Sequence, residues 1–367
     1  MKAGILKERL RWAIGAAEKI TGKNLSLPTL AYVLVEAKNK NLFVKATNLD
    51  LGIKINLPAK VEADGQVMIA GGIVANFLGS LYGQDKVELA TTLNTLTVAT
   101  SSTKSVIKTY SADDFPTIPE VAGGEEIQLS AVQFIHGLKA VAYAAANSDI
   151  KPEIASVYLY HQNGELVFVA TDSFRLAEKR VKLDQKITTE PKLIIPIRNI
   201  MEVMRIFEGN DELLTVKYNN HQVAFITEQI YLTSRLVEGV FPDYRQIVPT
   251  SRKTEVVILK NDLLNTMRLS TIFADKLNQI NLKIITADKL LEINSRNSDV
   301  GETTINLDAT LEGEDIEISL NARYLLDCLS SIAADSLIVS FNGRQRPIML
   351  KGVGDAHFTY LIMPLNR

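Results

Sequence analysis

Carboxylates are the side chains of this sequence best suited to acid–base chemistry. Asp113-Asp114 form a pair, and Asp172 and Asp243 stand alone in the later part of the chain. A carboxylate catalyst needs a partner such as a positioned histidine or a bound metal ion. No such partner accompanies these residues, and Gly71-Gly72 lacks the Lys-Ser/Thr that completes a phosphate-binding loop. We predict no catalytic residues, and an α+β hydrolase using Asp172 and Asp243 is kept only as an alternative hypothesis.

Histidine and cysteine give no sign of a metal or redox site. The one cysteine, Cys328, cannot form an internal disulfide, and the four histidines are widely separated at His136, His161, His221 and His357. A structural zinc site needs clustered thiolates or imidazoles. We predict no metal and no cofactor.

Charge and hydropathy narrow the class of protein further. Charged residues interrupt the N-terminal segment, so it does not have the continuous apolar stretch of a signal peptide, and no run approaches the roughly 18 apolar residues of a membrane span. With a lone cysteine, this predicts a cytoplasmic protein without a membrane segment. Because the net charge is only −2, a nucleic-acid-binding surface would require basic residues gathered on one face.

The elements that would position these side chains repeat about three times along the chain. Helical spacing of apolar residues predicts a helix near the start of each third: one through Leu6, Leu10, Ala13, Ala17 and Ile20, one after Ser130, and one after Asn261-Asp262. A second helix is predicted in each third through Ile73, Phe77 and Leu81, through Ile200, Met204 and Phe207, and through Leu325, Leu329 and Ile332.

Strand signals follow the same period. The segments that begin at Leu42, Leu166 and Leu290 are 124 residues apart each time, and Phe115-Pro116 recurs 126 residues later as Phe241-Pro242. Each third therefore reads helix, strands, helix, strands, which predicts an α+β fold. We expect domains at 1–122, 126–250 and 254–367, joined at Ala122-Gly123-Gly124 and near Thr250-Ser251-Arg252-Lys253.

Three motifs in the sequence resemble those of a known protein family. The segment from Val169 to Ala177, the segment from Thr233 to Arg245, and the final Tyr360 to Arg367 resemble the bacterial DNA polymerase III beta subunit. Weaker matches are Leu27-Pro28-Thr29-Leu30, Thr47-Asn48-Leu49-Asp50 and the segment from Asn321 to Asp327. The motifs keep their order across all three thirds.

The resemblance implies three clamp-type domains per chain and a head-to-tail homodimer that forms a six-domain ring. It implies a non-enzymatic DNA sliding clamp that encircles double-stranded DNA without reading sequence. The implied partners are the DNA polymerase III alpha subunit, other polymerases and the clamp loader. An alternative is a clamp-like structural paralogue that binds proteins without encircling DNA.

The resemblance also implies a protein-binding cleft for short peptides. Its wall would be formed by Ile154, Thr171, Ser173, Phe174, Arg175, Leu176, Pro242, Gln246, Ile247, Tyr324, Met363, Pro364 and Leu365. The family usually has glycine at Ser173, histidine or tyrosine at Phe174, and often arginine at Gln246, so the resemblance does not fix the peptide preference of this chain.

DNA and dimer contacts are expected at two further sets of residues. A sliding ring would contact phosphates without base contacts, through Lys7, Arg11, Lys19, Lys23, Arg198 and Arg205, together with the uncharged Asn24 and Ser148. The predicted helix from Gly71 to Tyr82 has no Lys or Arg, which departs from the family pattern. Ile107 and Ile272 are expected near the contact between two copies, where one edge strand would meet another.

Overall fold

The structure is a computed structural model that describes residues 1–22, 27–83, 85–148, 150–185 and 191–365. The first third contains β1 (Lys2–Leu6), α1 (Lys7–Glu18), β2 (Val33–Lys38), β3 (Asn41–Thr47), β4 (Leu51–Pro58), β5 (Lys60–Ala63), β6 (Gly65–Ile69), α2 (Gly71–Ser80), β7 (Lys86–Thr92), β8 (Thr95–Ala99) and β9 (Lys104–Lys108).

The second third contains β10 (Glu125–Ser130), α3 (Ala131–Val141), β11 (Ser156–Gln162), β12 (Glu165–Thr171), β13 (Arg175–Lys182), β14 (Lys192–Pro196), α4 (Ile197–Phe207), β15 (Leu213–Tyr218), β16 (Gln222–Ile226) and β17 (Ile230–Arg235). The last third contains β18 (Thr254–Leu259), α5 (Lys260–Ile272), β19 (Gln279–Ile285), β20 (Leu290–Asn297), β21 (Gly301–Leu307), β22 (Thr310–Gly313), β23 (Ile316–Asn321), α6 (Ala322–Leu329), β24 (Ser336–Phe341), β25 (Ile348–Gly352) and β26 (Phe358–Ile362). The α+β repeat predicted from the sequence is confirmed in all three thirds.

The chain forms two compact units, Met1–Val132 with Met201–Leu236, and Gln133–Ile200 with Val237–Arg367. The first unit holds a five-stranded sheet in the order β5-β1-β7-β8-β9 and an eight-stranded sheet in the order β10-β15-β16-β17-β4-β3-β2-β6. The second unit holds a nine-stranded sheet, β14-β11-β12-β13-β26-β25-β24-β18-β22, and a four-stranded sheet, β21-β20-β19-β23. The division passes through α3 and α4, so the units do not coincide with the repeats.

Two of these sheets join strands from neighbouring repeats. In the first unit β17 pairs antiparallel with β4, with Ile230 opposite Ile55 and Ser234 opposite Leu51. In the second unit β13 pairs antiparallel with β26, with Arg175 opposite Ile362. Each joint therefore satisfies the backbone N–H and C=O groups of two strands that would otherwise be sheet edges.

The predicted helix faces are largely correct, but Leu6, predicted on the first helix, is the last residue of β1 and is 41% exposed. Ile200 and Phe207 are fully buried, as their helical spacing predicts. In α2, however, the buried positions are Val74 and Leu78, whereas Ile73 is 62% exposed. The helix also ends at Ser80, so the predicted end at Tyr82 was too late. The segment is apolar nearly all round, which leaves periodicity unable to decide which stripe faces the core. Within the described residues, no helix is both long and apolar enough to cross a membrane.

The first predicted joint contains a glycine that packing requires. Gly124 has a φ of +82°, and a Cβ added to it would lie 2.2 Å from the carbonyl oxygen of Tyr218. This glycine is needed for the close approach of two backbones, a role beyond the flexible connection that the sequence suggested.

Gly137 in α3 is required by packing, whereas glycine inside a helix ordinarily lowers the stability of that helix. A Cβ on Gly137 would lie 2.6 Å from the ring of Phe168, which is fully buried, whereas a Cβ on Gly15 in α1 would meet nothing within 4 Å. We expect Gly137→Ala to destabilise its unit by about 1–3 kcal/mol through overpacking. Gly15→Ala should stabilise by up to about 1 kcal/mol, because alanine favours the helix. Urea denaturation followed by circular dichroism measures both, and equal shifts in the midpoint would contradict the packing argument.

Candidate functional site

The most characteristic motif of the sequence forms a tight turn between β12 and β13. The hydroxyl of Thr171 donates to the carbonyl of Arg175 at 2.6 Å and accepts from the backbone N–H of Ser173 at 3.1 Å. The carboxylate of Asp172 accepts from the N–H groups of Phe174 and Arg175, both at 2.9 Å. Side chains of the motif thus satisfy the backbone of its own turn, as Thr and Asp commonly do.

Ser173 occupies a backbone conformation that favours glycine. Its φ is +78°, in the left-handed region where a Cβ costs energy. This is the position at which the resembled family usually has glycine, so the turn geometry accounts for that preference. In this chain the surrounding hydrogen bonds hold the serine in the strained conformation.

Arg175 locks the turn to the last third of the chain. Its guanidinium bonds Asp172 at 3.0 Å and Asp327 at 2.5 Å, and lies 4.6 Å from the ring centroid of Tyr324. Burial alone would lower the pKa of Arg175, but the hydrogen bond to Asp327 and the charge of Asp172 outweigh it and raise that pKa. Since only 11% of its side chain is exposed and its guanidinium is held by two carboxylates, Arg175 forms a fixed part of the site.

The C-terminal segment packs beside this turn. The N–H of Met363 donates to the carbonyl of Phe174 at 2.8 Å, and the N–H of Leu365 donates to the carbonyl of Ser319 at 2.9 Å. Pro364 is buried between these anchors, while Met363 and Leu365 are partly exposed. The structure thus brings the expected C-terminal residues together with the turn.

Exposed apolar side chains flank the same region. Phe174 is 60% exposed and Ile247 is 47% exposed. Pro242 and Gln246 are also exposed, and the Gln246 amide donates to Asp243 at 2.9 Å. These residues can be reached by a ligand.

Two expected cleft residues are placed in the core instead. Leu176 is 1% exposed and Ile154 is 8% exposed. Leu176 belongs to a buried cluster with Val167, Val169, Leu361 and other residues of the nine-stranded sheet. The Leu176 side chain lies below the protein surface, so a ligand would contact Leu176 only by entering the cavity that it lines.

That cavity has a volume of about 480 Å³, and Leu176, Tyr244, Val248 and Thr359 are among its lining residues. The Tyr244 hydroxyl bonds Tyr160 at 2.7 Å and also donates to the carboxylate of Glu178. Burial and the adjacent Glu178 charge raise the pKa of Tyr244, which therefore keeps its proton. Leu176 and Val248 supply apolar lining that suits an apolar anchor of a peptide, and the charged residues Glu178, Arg180, Arg245 and Lys351 also line the cavity.

The turn has a structural twin at the other joint between repeats. Thr47 donates to the carbonyl of Leu51 at 2.9 Å, and Asn48 accepts from the N–H groups of Asp50 and Leu51 at 3.0 and 2.8 Å. Leu49 has a φ of +79°, matching Ser173. The turn is therefore a structural feature of both joints. The two joints differ at the last position of the turn, which is Leu51 at the β4–β17 joint and Arg175 at the β13–β26 joint.

Several expected DNA-contacting cations already have partners within the protein. The ammonium of Lys7 donates to the carbonyl of Leu81 at 2.8 Å and only 12% of its side chain is exposed. The guanidinium of Arg205 donates to the carbonyl of Ala16 at 3.0 Å and pairs with Glu202. Lys7 therefore contributes to the packing of the fold, and Arg205 is only partly available.

The remaining residues of that set lie on the surface. Lys19 and Arg11 are 62% and 51% exposed, and each has a glutamate nearby. Arg198 and Ser148 are exposed. Lys23 and Asn24 lie outside the described residues.

The two expected dimer residues both lie at the ends of sheets or helices. Ile107 is partly exposed in β9, the outer strand of its five-stranded sheet. Ile272 is the last residue of α5 and is 61% exposed.

Asp172 and Asp113 make structural contacts in the fold. Among the described residues there is no cluster of three or more His, Cys, Asp or Glu that could hold a metal ion. Asp172 holds the turn and pairs with Arg175, while Asp113 accepts from the hydroxyl of Ser111 at 2.7 Å.

Asp327 is the main residue of the site that the sequence argument did not assign. It falls within the segment from Asn321 to Asp327 that weakly resembles the family, but its partner Arg175 lies 152 residues earlier. Spacing along the sequence carries no signal for such a contact.

Family models of the DNA polymerase III beta subunit match this chain along nearly its whole length. The N-terminal domain model matches residues 1–119, the central domain model 128–243 and the C-terminal domain model 245–366. The Beta sliding clamp of Synechococcus elongatus is 28% identical over 372 residues, covering 100% of this chain and 99% of that protein. The Beta sliding clamp of Staphylococcus aureus strain Mu50 is 27% identical over 358 residues, covering 95% and 94%.

Solved structures share the fold. The DNA polymerase sliding clamp of Bacillus subtilis has a TM-score of 0.95 at 23% identity, covering 100% of this chain and 99% of that chain. The DNA polymerase III beta subunit of Thermotoga maritima has a TM-score of 0.93 at 24% identity with the same coverage.

The Arg175–Asp327 pair should govern how well the turn is held. We expect Asp327→Asn to lower the free energy of unfolding by about 1–3 kcal/mol, because it removes one charge of a largely buried pair. A peptide bound beside this turn should be held less tightly as well, since Ser173 loses part of the framework that holds it. Asp288→Asn, at an exposed position, is the matched control. Denaturation and fluorescence anisotropy give the two readouts, and equal results for both variants would contradict the role of Asp327.

Proposed function

This chain belongs to the DNA polymerase III beta subunit family, and we propose that it works as a DNA sliding clamp for the replicative polymerase. The observation that carries the proposal is that three beta-subunit domain models match in order over residues 1–119, 128–243 and 245–366. It acts without catalysis, as a processivity factor: a clamp keeps a polymerase near its template by linking the two physically.

Encircling DNA requires closure, which we propose occurs head to tail between two copies. With three domains per chain, a dimer supplies six domains, each turning through about 60° for a closed ring. Of the described strands, none pairs with the outer side of β9 or of β21. We propose that β9 of one copy adds to β21 of the other, which removes both edges.

Side chains near these edges support the same contact. Val106 in β9 is 62% exposed, and β9 begins and ends with lysine. Beside β21, Ile272 and Val300 are 61% and 59% exposed, and β21 carries Glu302. Apolar surface flanked by opposite charges is typical of a specific interface.

We propose that the helices present exposed cations to the DNA backbone. Lys19, Arg11 and Arg198 are the members of the expected set that remain on the surface. Phosphate contacts of this kind do not depend on base sequence, so they would permit sliding. The absence of Lys and Arg from α2 reduces the charge of that region.

We propose that polymerases, including the alpha subunit, and the clamp loader dock through the cleft around the Thr171–Leu176 turn. Exposed Phe174 and Ile247, partly exposed Met363 and the cavity above Leu176 supply apolar anchoring surface. Met363 is flexible and polarizable, which suits partners of different sequence. A cytoplasmic location, with access to DNA, is part of the same proposal.

Dimerisation is tested by the mass of the protein in solution. We expect the wild type to elute with about twice the 40.5 kDa chain mass. Ile272→Asp should give monomers, because a charge would be desolvated at the contact. Leu93→Asp, at a 98% exposed residue of the β7–β8 turn, should leave the dimer intact. Light scattering with gel filtration measures these masses, and a wild-type monomer at micromolar concentration would rule out a stable ring.

Encirclement is tested by comparing circular and linear DNA. After incubation with clamp loader and ATP, we expect the protein to stay on nicked circular DNA through a high-salt wash and to leave once the circle is cut. Phosphate contacts alone weaken as salt rises, because counterion release then favours binding less. Equal, salt-sensitive loss from both DNAs would instead favour a paralogue that does not encircle DNA.

A further inference from the structure

A second cavity next to the proposed cleft has the composition of a binding site. It has a volume of about 470 Å³, and its lining includes Tyr158, Phe241, Pro242, Lys192 and Arg245. Pro242 is also one of the cleft residues, and Arg245 also lines the cavity above Leu176. The two cavities are therefore adjacent.

One wall of this second cavity is aromatic and rigid. The rings of Tyr158 and Phe241 stack with centroids 4.9 Å apart at an angle of 13°, and Tyr158 stacks on Tyr160 at 5.1 Å. The hydroxyl of Tyr160 forms a hydrogen bond of 2.7 Å with the hydroxyl of Tyr244. Since Tyr160 and Phe241 are 5% and 7% exposed, the stack is a preformed lining whose ring edges can contact an aromatic side chain at a low entropic cost.

Two residues give this cavity a cationic rim. Lys192 and Arg245 are exposed, and neither forms an ion pair with a carboxylate of the described residues. The guanidinium of Arg245 lies 4.9 Å from the ring centroid of Tyr160, and its weak bond to Gln162 is 3.5 Å long. The one carboxylate of the lining, Asp243, accepts from Gln246. The rim thus presents two cations against one engaged carboxylate.

The corresponding cavity of the first unit provides an internal comparison. It lies beside Phe115-Pro116, which repeats Phe241-Pro242, and has a similar volume of about 460 Å³. Its cations are neutralised within the protein: Lys45 pairs with Glu36 at 2.6 Å, and Lys54 pairs with Glu120 at 3.8 Å. Only the second cavity keeps its positive charge for a ligand.

We propose that this cavity is a specificity subsite that binds an acidic residue and a neighbouring aromatic residue flanking the clamp-binding segment of a partner peptide. The inference rests on the proposed function, because the flanking residues arrive only with a peptide seated in the cleft. Partners with an acidic flank would bind more tightly than partners with a basic one, although both use the same apolar anchors.

The test compares extended and short forms of one polymerase-derived clamp-binding peptide. The extended forms carry Gly-Ser-Gly-Ser followed by Tyr-Glu, or by Tyr-Lys as the charge-reversed control, at either end. Fluorescence anisotropy gives the ratio of extended to short affinity for each protein variant. We expect the Tyr-Glu extension at one end to raise affinity about fivefold at low salt, and the Tyr-Lys extension not to raise it.

Variants of the protein test which residues cause the increase in affinity. Lys192→Glu should abolish the fivefold gain while leaving the affinity of the short peptide unchanged, because Lys192 lies outside the cleft. Lys54→Glu, in the corresponding cavity of the first unit, should keep the gain. Arg245→Gln should reduce the ratio of the two affinities.

Two results would overturn the inference while leaving the proposed function intact. These are a ratio of one for the Tyr-Glu peptides at both ends, and an undiminished gain with Lys192→Glu. If the short peptide does not bind the wild type at all, the cleft assignment fails and the subsite falls with it.

Discussion

The need of every buried strand edge for a hydrogen-bonding partner underlies the organisation of this chain. In three similar repeats, some strands find no pairing partner within their own repeat. Two such pairings are formed between repeats inside the chain. β17 pairs with β4 in the first unit, and β13 pairs with β26 in the second. Each of the four sheets still has two outer strands among the described residues, and β9 and β21 are the two that we propose to pair between copies. A third joint of the same kind, formed between two copies, would complete the pattern, so internal joints and proposed ring closure follow from one constraint.

The same joints generate the turns on which the proposed recognition depends. Both internal joints use a Thr-Asn/Asp turn with a residue near φ +79°, and in both the turn is held to the partner strand: Asp50 accepts from the N–H of Arg235, and Phe174 from that of Met363. A turn that the fold needs twice is not in itself evidence of binding. The second turn becomes a candidate site because Arg175 extends its framework to Asp327 and because Phe174 stands exposed beside the C-terminal segment.

Sequence reasoning succeeded where the signal is periodic or local. The 124-residue spacing of Leu42, Leu166 and Leu290 predicted equivalent strands, and β3, β12 and β20 confirm it. It failed where a side chain's partner is remote in sequence. Lys7 bonds Leu81, Arg205 bonds Ala16 and Arg175 bonds Asp327, and no spacing rule could have predicted these contacts. Leu176 and Ile154, expected in the cleft from the resemblance, are buried, because an apolar residue in a motif can serve the core or the surface.

Cavity size does not explain why one joint would bind peptides and the other would not. The cavities beside Phe115-Pro116 and Phe241-Pro242 differ by little in volume, about 460 and 470 Å³. At the first, Ile118 lies over Gly52, where a Cβ would be 2.9 Å away, and both lysines are paired with glutamates. At the second, the equivalent strand position carries Leu176 and the cations at the rim are left for a ligand. The two frameworks are similar, and the few side chains that differ favour packing at the first and the proposed recognition at the second.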